Sequence, residues 1–366
     1  MTPDERELRR ALETRSGEVS PEFRRRLSGT FLEGRPAAKA IPALALVAVI
    51  VLSGVSIGIL LMARGADRVS HGDVATPPPT PSQIVFPHGS DMSAASGSVL
   101  WVYFVQGSLF RSTDRGDTWE RRPLPTVQGG GSPQISFVDA QHGWYLVSNS
   151  PRPECSGQDI NIWHTSDGGA TWEPLGAPGV DYAQCKESLS FVDPNHGFLA
   201  AWDYSHQPTM YRTADGGSTW QRATLPDPSS YTTPGGGVEL HVGVVKRFGS
   251  TLLVAAADNQ SSEYLFRSID GGATWTYLAH TNGALARVVF MTASRWLLVQ
   301  NHSGWSETTD AGKTWHTFPN DYKDAALDPS DFVFGDDSVG YGTAGVAIHR
   351  TVDGGSHWTD IKTPGT

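Results

Sequence analysis

Apolar residues in this chain come in short runs broken by turn residues, with one long exception. The exception is Ile41 to Met62, 22 residues without a charge. From about residue 84 onward the runs are short and alternate apolar with polar positions, as in Ser108-Leu109-Phe110-Arg111 and Thr209-Met210-Tyr211-Arg212. Period-two alternation bounded by Gly, Pro and Asp predicts β-strands joined by tight turns. Residues 1–36 read differently, as two short helices. Pro3-Asp4-Glu5-Arg6 and Ser20-Pro21-Glu22-Phe23 open them, with acids early and Pro at the first helical position.

One turn pattern organises the strands. Thr165-Ser166-Asp167-Gly168-Gly169-Ala170-Thr171-Trp172 follows the scheme Ser/Thr-x-Asp-x-Gly-x-Thr/His-Trp, which occurs six times. Its aspartates are Asp114, Asp167, Asp215, Asp270, Asp310 and Asp353, and its tryptophans Trp119, Trp172, Trp220, Trp275, Trp315 and Trp358. The spacing of 40 to 55 residues fits propeller blades. Within each box, Asp accepts backbone N–H bonds, Gly supplies a positive φ, and Trp offers apolar area to a neighbouring unit. Upstream lies a second hairpin, Asp-x-x-x-Gly-aromatic. It reads Ile135-Ser136-Phe137-Val138-Asp139-Ala140-Gln141-His142-Gly143-Trp144, and recurs around Asp193 to Phe198 and Asp336 to Tyr341. Two hairpins per repeat give a four-stranded antiparallel blade, and a closed ring of blades removes exposed edges.

These motifs resemble the Asp-box, or bacterial neuraminidase repeat. It occurs in sialidases, sortilin-type receptors, some endoglucanases and photosystem II assembly factors. The upstream hairpin looks most like the photosystem assembly factor-like propellers. The resemblance covers about residues 84–364 and implies an all-β, six-bladed β-propeller of four-stranded antiparallel blades. A seven-bladed ring with one degenerate blade is the alternative. The last blade, Asp331 to Ile361, contains all four of its expected strands, so little strand exchange is expected at closure. Fold similarity of this kind does not fix function.

The expected partition is a cytoplasmic, partly helical segment at 1–40, a transmembrane helix at 41–62, a Pro-rich linker at 63–82 and an extracytoplasmic propeller at 83–366. At 1.5 Å per residue the apolar run spans about 33 Å, enough for the hydrocarbon core. The positive excess lies on its N-terminal side, which places the N-terminus in the cytoplasm. A cleaved signal peptide fits poorly because the leader is too long. Ala75-Thr76-Pro77-Pro78-Pro79-Thr80-Pro81 makes a stiff spacer. The net charge of −10 argues against a nucleic-acid partner. Cys155 and Cys185, the only cysteines, are expected to form a disulfide in an external domain.

Chemistry is sparse. His142 and His196 share one repeat position and read as turn residues rather than ligands. No metal, phosphate or serine-hydrolase motif appears, and no cofactor is expected. A sialidase needs three convergent arginines, a Tyr–Glu nucleophile pair and an Asp. Here Arg111, Arg212, Arg267 and Arg350 all stand three residues before a box Asp, which marks them as strand residues. Arg152, Arg222, Arg247, Arg287, Arg295 and Glu239 remain, with nothing to bring them together. Tyr182, Trp202, Tyr204, Tyr231, Trp296 and Trp305 lie outside the boxes, as blade filler or as a ligand face. Pro226 to Gly237 reads as an exposed loop. The favoured reading is a non-catalytic binding or assembly scaffold for an extracellular protein or glycan, with no catalytic residue assigned. An exo-sialidase-type hydrolase is the alternative, and a sensor linked to the cytoplasmic segment a third.

Overall fold

The computed structural model describes residues 91–104, 107–127, 131–202, 209–228, 240–258, 262–281, 286–300, 304–322, 332–344 and 347–362. The leader, the apolar run 41–62, the linker and the expected start of the propeller at 83–90 lie outside the described residues. So do Tyr204, Tyr231, Glu239 and most of the loop at 226–237. Among the described residues no helix is long and apolar enough to cross a membrane. The chain divides into units 1–78 and 79–366, and every described residue belongs to the second.

Six antiparallel sheets follow one another along the chain, at residues 91–122, 131–174, 185–224, 240–280, 286–318 and 332–361. They are blades 1 to 6 of the expected six-bladed propeller. In each, strands adjacent in sequence are adjacent in the sheet. Blade 4 departs slightly: its first strand is broken into Leu240–Val242 and Lys246–Phe248, which both pair with Thr251–Asp258. Blade 6 takes all four strands from 332–361, so closure needs no strand exchange. Side chains close the ring instead. Tyr341 Oη donates to Gly97 O (3.3 Å), Trp119 Nε1 to Lys362 O (2.8 Å) and Arg350 to Arg115 O (2.7 Å).

The core is divided among the seams between blades. Six apolar clusters fill six seams, and each contains the box Trp of the later blade. Trp220 sits among blade 2 residues Trp144, Leu146 and Ile162, and Trp119 sits against Val339, Ile348 and Ile361 of blade 6. A single blade could not bury these faces alone. Aromatic stacking tightens two seams: Trp101 lies on Phe137 at 3.7 Å and Trp144 on Phe191 at 3.5 Å between ring centroids.

The six boxes join the third and fourth strands with nearly identical bonding. In blade 2, Thr165 Oγ1 donates to Asp167 Oδ1 (2.9 Å) and accepts from Gly169 N (2.8 Å). Thr171 donates its N–H to Asp167 Oδ1 (2.9 Å) and its hydroxyl to Oδ2 (2.6 Å). In blade 6 His357 Nδ1 replaces that hydroxyl, 2.6 Å from Asp353 Oδ2. The turn needs two successive residues of positive φ. Four boxes use Gly-Gly, but Arg115 (φ 66°) and Ala311 (φ 61°) carry a side chain there. The box is also tied to the upstream hairpin of its own blade, as by Gly168 N to Gln141 O (2.8 Å) and Gly354 N to Ser338 O (2.8 Å).

Cys155 and Cys185 are joined, with a Cα–Cα distance of 5.1 Å. The bridge links the second-to-third strand connection of blade 2 to the first strand of blade 3. Its chain-entropy contribution is about 3 kcal/mol. Beside it the buried amine of Lys186 donates to three carbonyls, Gln184 O (2.7 Å), Gln158 O (3.1 Å) and Tyr182 O (3.2 Å). Burial pushes its pKa down to about 8.

Candidate binding channel

The first strand of every blade faces the ring axis, and together they line a central cavity of about 900 Å³. These strands are sheet edges, so their outward backbone groups need partners. Serines supply them on one side of the ring. Phe137 N donates to Ser93 Oγ (2.9 Å), Phe191 N to Ser136 Oγ (2.8 Å) and Val245 N to Ser190 Oγ (3.1 Å). Each serine reaches from its own blade to the next, so it latches a seam that no backbone ladder spans. Ser93 also donates to Phe137 O (3.2 Å).

The strand registers place one residue of every blade at this level. The serines pair with Trp101, Trp144 and Phe198, which pair in turn with Arg111, His164 and Arg212, each three residues before a box Asp. The same path through Leu253–Arg267, Leu297–Glu307 and Tyr341–Arg350 leads to Lys246, Val289 and Val333. The level therefore reads Ser, Ser, Ser, Lys, Val, Val around the ring. Neither Val nor a protonated amine can accept the next blade's N–H. Val244, beside Lys246, is 48% exposed.

A second, polar level lies nearer the starts of these strands. Asp91 Oδ2 accepts Ile135 N (2.6 Å), and Gln134 Oε1 accepts Leu189 N (2.8 Å). Glu187 pairs with His241, which lies edge-on to Trp202 with ring centroids 5.2 Å apart. Glu263, from the third strand of blade 4, reaches the same level, accepting Val288 N and facing Arg287 at 3.6 Å. Burial raises Asp91 to a pKa of about 6 and Glu263 to about 7, against the lowering effect of the backbone bonds each accepts. The box aspartates move the other way. The Thr hydroxyl and N–H bonds hold Asp114, Asp270 and Asp310 at about 2, and Asp167 and Asp215 are lowered by the same contacts.

The structure spreads the arginines rather than gathering them. Arg111 reaches Ala140 O (2.9 Å) of the next blade, and Arg295 reaches Asp337 O (2.7 Å) and Gly354 O (3.2 Å). Arg152 covers the Tyr182 ring and Arg222 bonds Thr209 (3.0 Å). Among the described residues only Arg247 and Arg287 line the channel, and no Tyr or Trp does. Trp296 and Trp305 are buried in seams, which removes them from any ligand face. His142 and His196 bond Asp139 (2.8 Å) and Asp193 (2.9 Å) inside their turns, as their repeat position implies. Among the described residues no group of His, Cys, Asp and Glu could hold a metal.

Sequence reading missed both channel levels. The signal was present for the serines: Ile135-Ser136-Phe137 and Leu189-Ser190-Phe191 match, while blades 5 and 6 read Val288-Val289-Phe290 and Phe332-Val333-Phe334. Lys246 was hidden by the shortened turn Phe248-Gly249-Ser250-Thr251.

No family model matches the chain. Among curated proteins it is similar to a xyloglucanase of a Paenibacillus species, 27% identical over 289 residues, which is 70% of this chain and 23% of that protein. It is also similar to the xyloglucanase Xgh74A of Acetivibrio thermocellus, 30% identical over 175 residues, 46% of this chain and 16% of that protein. The chain spans less than a quarter of the length of these relatives. Among solved structures it is similar to YCF48 from Cyanidioschyzon merolae, with a TM-score of 0.46, 20% identity, and coverage of 79% of this chain and 87% of that one.

Proposed function

We propose that this chain is a propeller held outside the cell by a single transmembrane helix at 41–62, and that it binds a protein or glycan without turning it over. The observation that carries the reading is how the channel's ionisable groups are used. Asp91 and Glu263 accept backbone N–H groups of the neighbouring blade. Glu187 is paired with His241. A carboxyl group that accepts the next blade's N–H is oriented toward the seam rather than toward a substrate in the channel. A sialidase constellation finds no support among the described channel residues, where two arginines occur and no tyrosine. The membrane anchor rests on the uncharged 22-residue run and the Arg-rich leader before it. The Cys155–Cys185 bridge suits an oxidising compartment.

A glycoside hydrolase is the second reading. The xyloglucanase relatives favour it, and so do the raised pKa values of Asp91 and Glu263, which suit a general acid. The full-length protein in detergent should show no turnover of a fluorogenic sialoside, xyloglucan or aryl glycosides between pH 4 and 8. Turnover that disappears in Asp91→Asn or Glu263→Gln would overturn the binding reading. Protease digestion of intact cells should cleave the propeller side, and protection there would reverse the topology.

A further inference from the structure

Among the described residues two lysines have pKa values lowered by desolvation, Lys186, which is buried, and Lys246, which is partly buried in the channel wall. Lys186 spends its three donors on three carbonyls. Lys246, in the wall of the channel, has no hydrogen bond or ion pair among the described residues. Its ammonium group is therefore available to a ligand in the channel. Nothing in the fold requires it, since the same level holds Ser93, Ser136 and Ser190 in three blades and Val289 and Val333 in two.

The charged groups around the cavity do not meet the need. Asp193 is engaged by Arg247 and His196. Asp336 Oδ1 caps its own turn, accepting Ser338 N (2.9 Å) and Val339 N (2.7 Å). Glu187 holds His241, and Glu263 faces Arg287. Asp91 accepts Ile135 N. Of the remaining neighbours, Asp337 accepts the Ser338 hydroxyl (3.1 Å).

We propose that the channel binds a carboxylate carried on an aliphatic stem, with the carboxylate paired to Lys246 and the stem lying along Val244, Val289 and Val333. This rests on the binding reading above and names its ligand chemistry. A monoanion matches one free cation; a phosphate dianion would meet the acidic groups that share the wall. An aliphatic stem matches a valine wall. A sugar ring would look for an exposed aromatic platform; among the described residues no Trp or Tyr lines the cavity, and its phenylalanines are packed into the seams. The carboxylate could belong to a free short-chain acid or to the C-terminus of an apolar peptide.

Calorimetry on the full-length protein in detergent tests this with hexanoate, with acetyl-Ala-Ala-Val-Val as free acid and as amide, and with glucuronate. Hexanoate or the free-acid peptide should bind, the amide at least tenfold more weakly. Hexanoate binding alone points to a free acid, and tighter binding of the peptide acid points to a chain terminus. Lys246→Met should fold and lose at least tenfold in affinity. Lys246→Gln should lose the affinity too. The proposal is overturned if neither acid binds, if Lys246→Met binds as well as the parent, or if glucuronate binds best. Glycoside turnover is measured on the same samples. Turnover sinks the binding reading, whereas absent turnover with absent carboxylate binding sinks this inference alone.

Discussion

The outer turns and the inner strands of this propeller are built on opposite plans. Each box repeats the same buried hydroxyl, the same carboxylate and the same seam Trp, with His357 the one change of donor. The inner strands share a position but not a residue: serine in three blades, lysine in one, valine in two. A turn is solved by local bonds, so one solution serves six times. An inner strand must satisfy its neighbour and face the cavity, so its residue can vary once the seam is held elsewhere. The regular region supports the ring, and the irregular region gives it a direction around the axis.

The largest expected effect lies in the seams. Trp220→Ala should destabilise the protein by about 3 to 5 kcal/mol, because a buried indole leaves a cavity between blades 2 and 3. Denaturant unfolding measures it, and a cost below 1 kcal/mol would remove the box Trp from its structural role. Next come the hydroxyls. Thr165→Val leaves Gly169 N–H without its acceptor in a buried turn and should cost about 1 to 3 kcal/mol. Ser136→Ala should cost less, about 1 kcal/mol, since blades 5 and 6 manage the same level without a hydroxyl. Equal costs would erase the contrast between turn and strand.

Acid and base then separate the two regions by sign. The box aspartates have folded pKa values below the ordinary 3.8, so their contribution is present above that value and is lost as pH falls toward 2. Asp91 and Glu263 have folded values raised to about 6 and about 7. Their contribution is fully present below their ordinary values and is lost as pH rises through 6 and 7. Asp91→Asn should therefore leave stability unchanged near pH 4 and raise it near pH 7.5, on the order of 1 kcal/mol after allowance for channel water. Unfolding curves at the two pH values decide this; an equal effect at both would mean Asp91 is not protonated preferentially in the fold. The smallest effect concerns the two boxes that depart from Gly-Gly. Arg115→Gly should relieve a left-handed non-Gly residue and stabilise by about 0.5 to 1 kcal/mol, net of chain entropy. A thermal melt would show a small rise.

Much of the fold was legible in the sequence. The box spacing announced the blades, the Asp-x-x-x-Gly-aromatic hairpins announced the inner pairs, and Cys155 with Cys185 announced a bridge that the structure contains. These features are local or periodic, and a strand or turn writes its period into neighbouring residues. The roles of Arg111, Arg212, Arg267 and Arg350 as strand residues were also legible, since a repeated position signals a repeated structural task.

The channel was not legible in that way. Lys246, Ser190 and Val289 lie far apart in sequence and share a level only through the strand registers of their blades. Blade 4 shortens its turn by one residue, so simple alignment of the motif misplaces Lys246 by one position. Only ring closure turns the first strands toward one axis and reveals which polar group lacks a partner. The sequence by itself determined the repeating unit, because a turn is satisfied within eight residues. The tertiary structure decided what the axis presents, because satisfaction there depends on the blade next door.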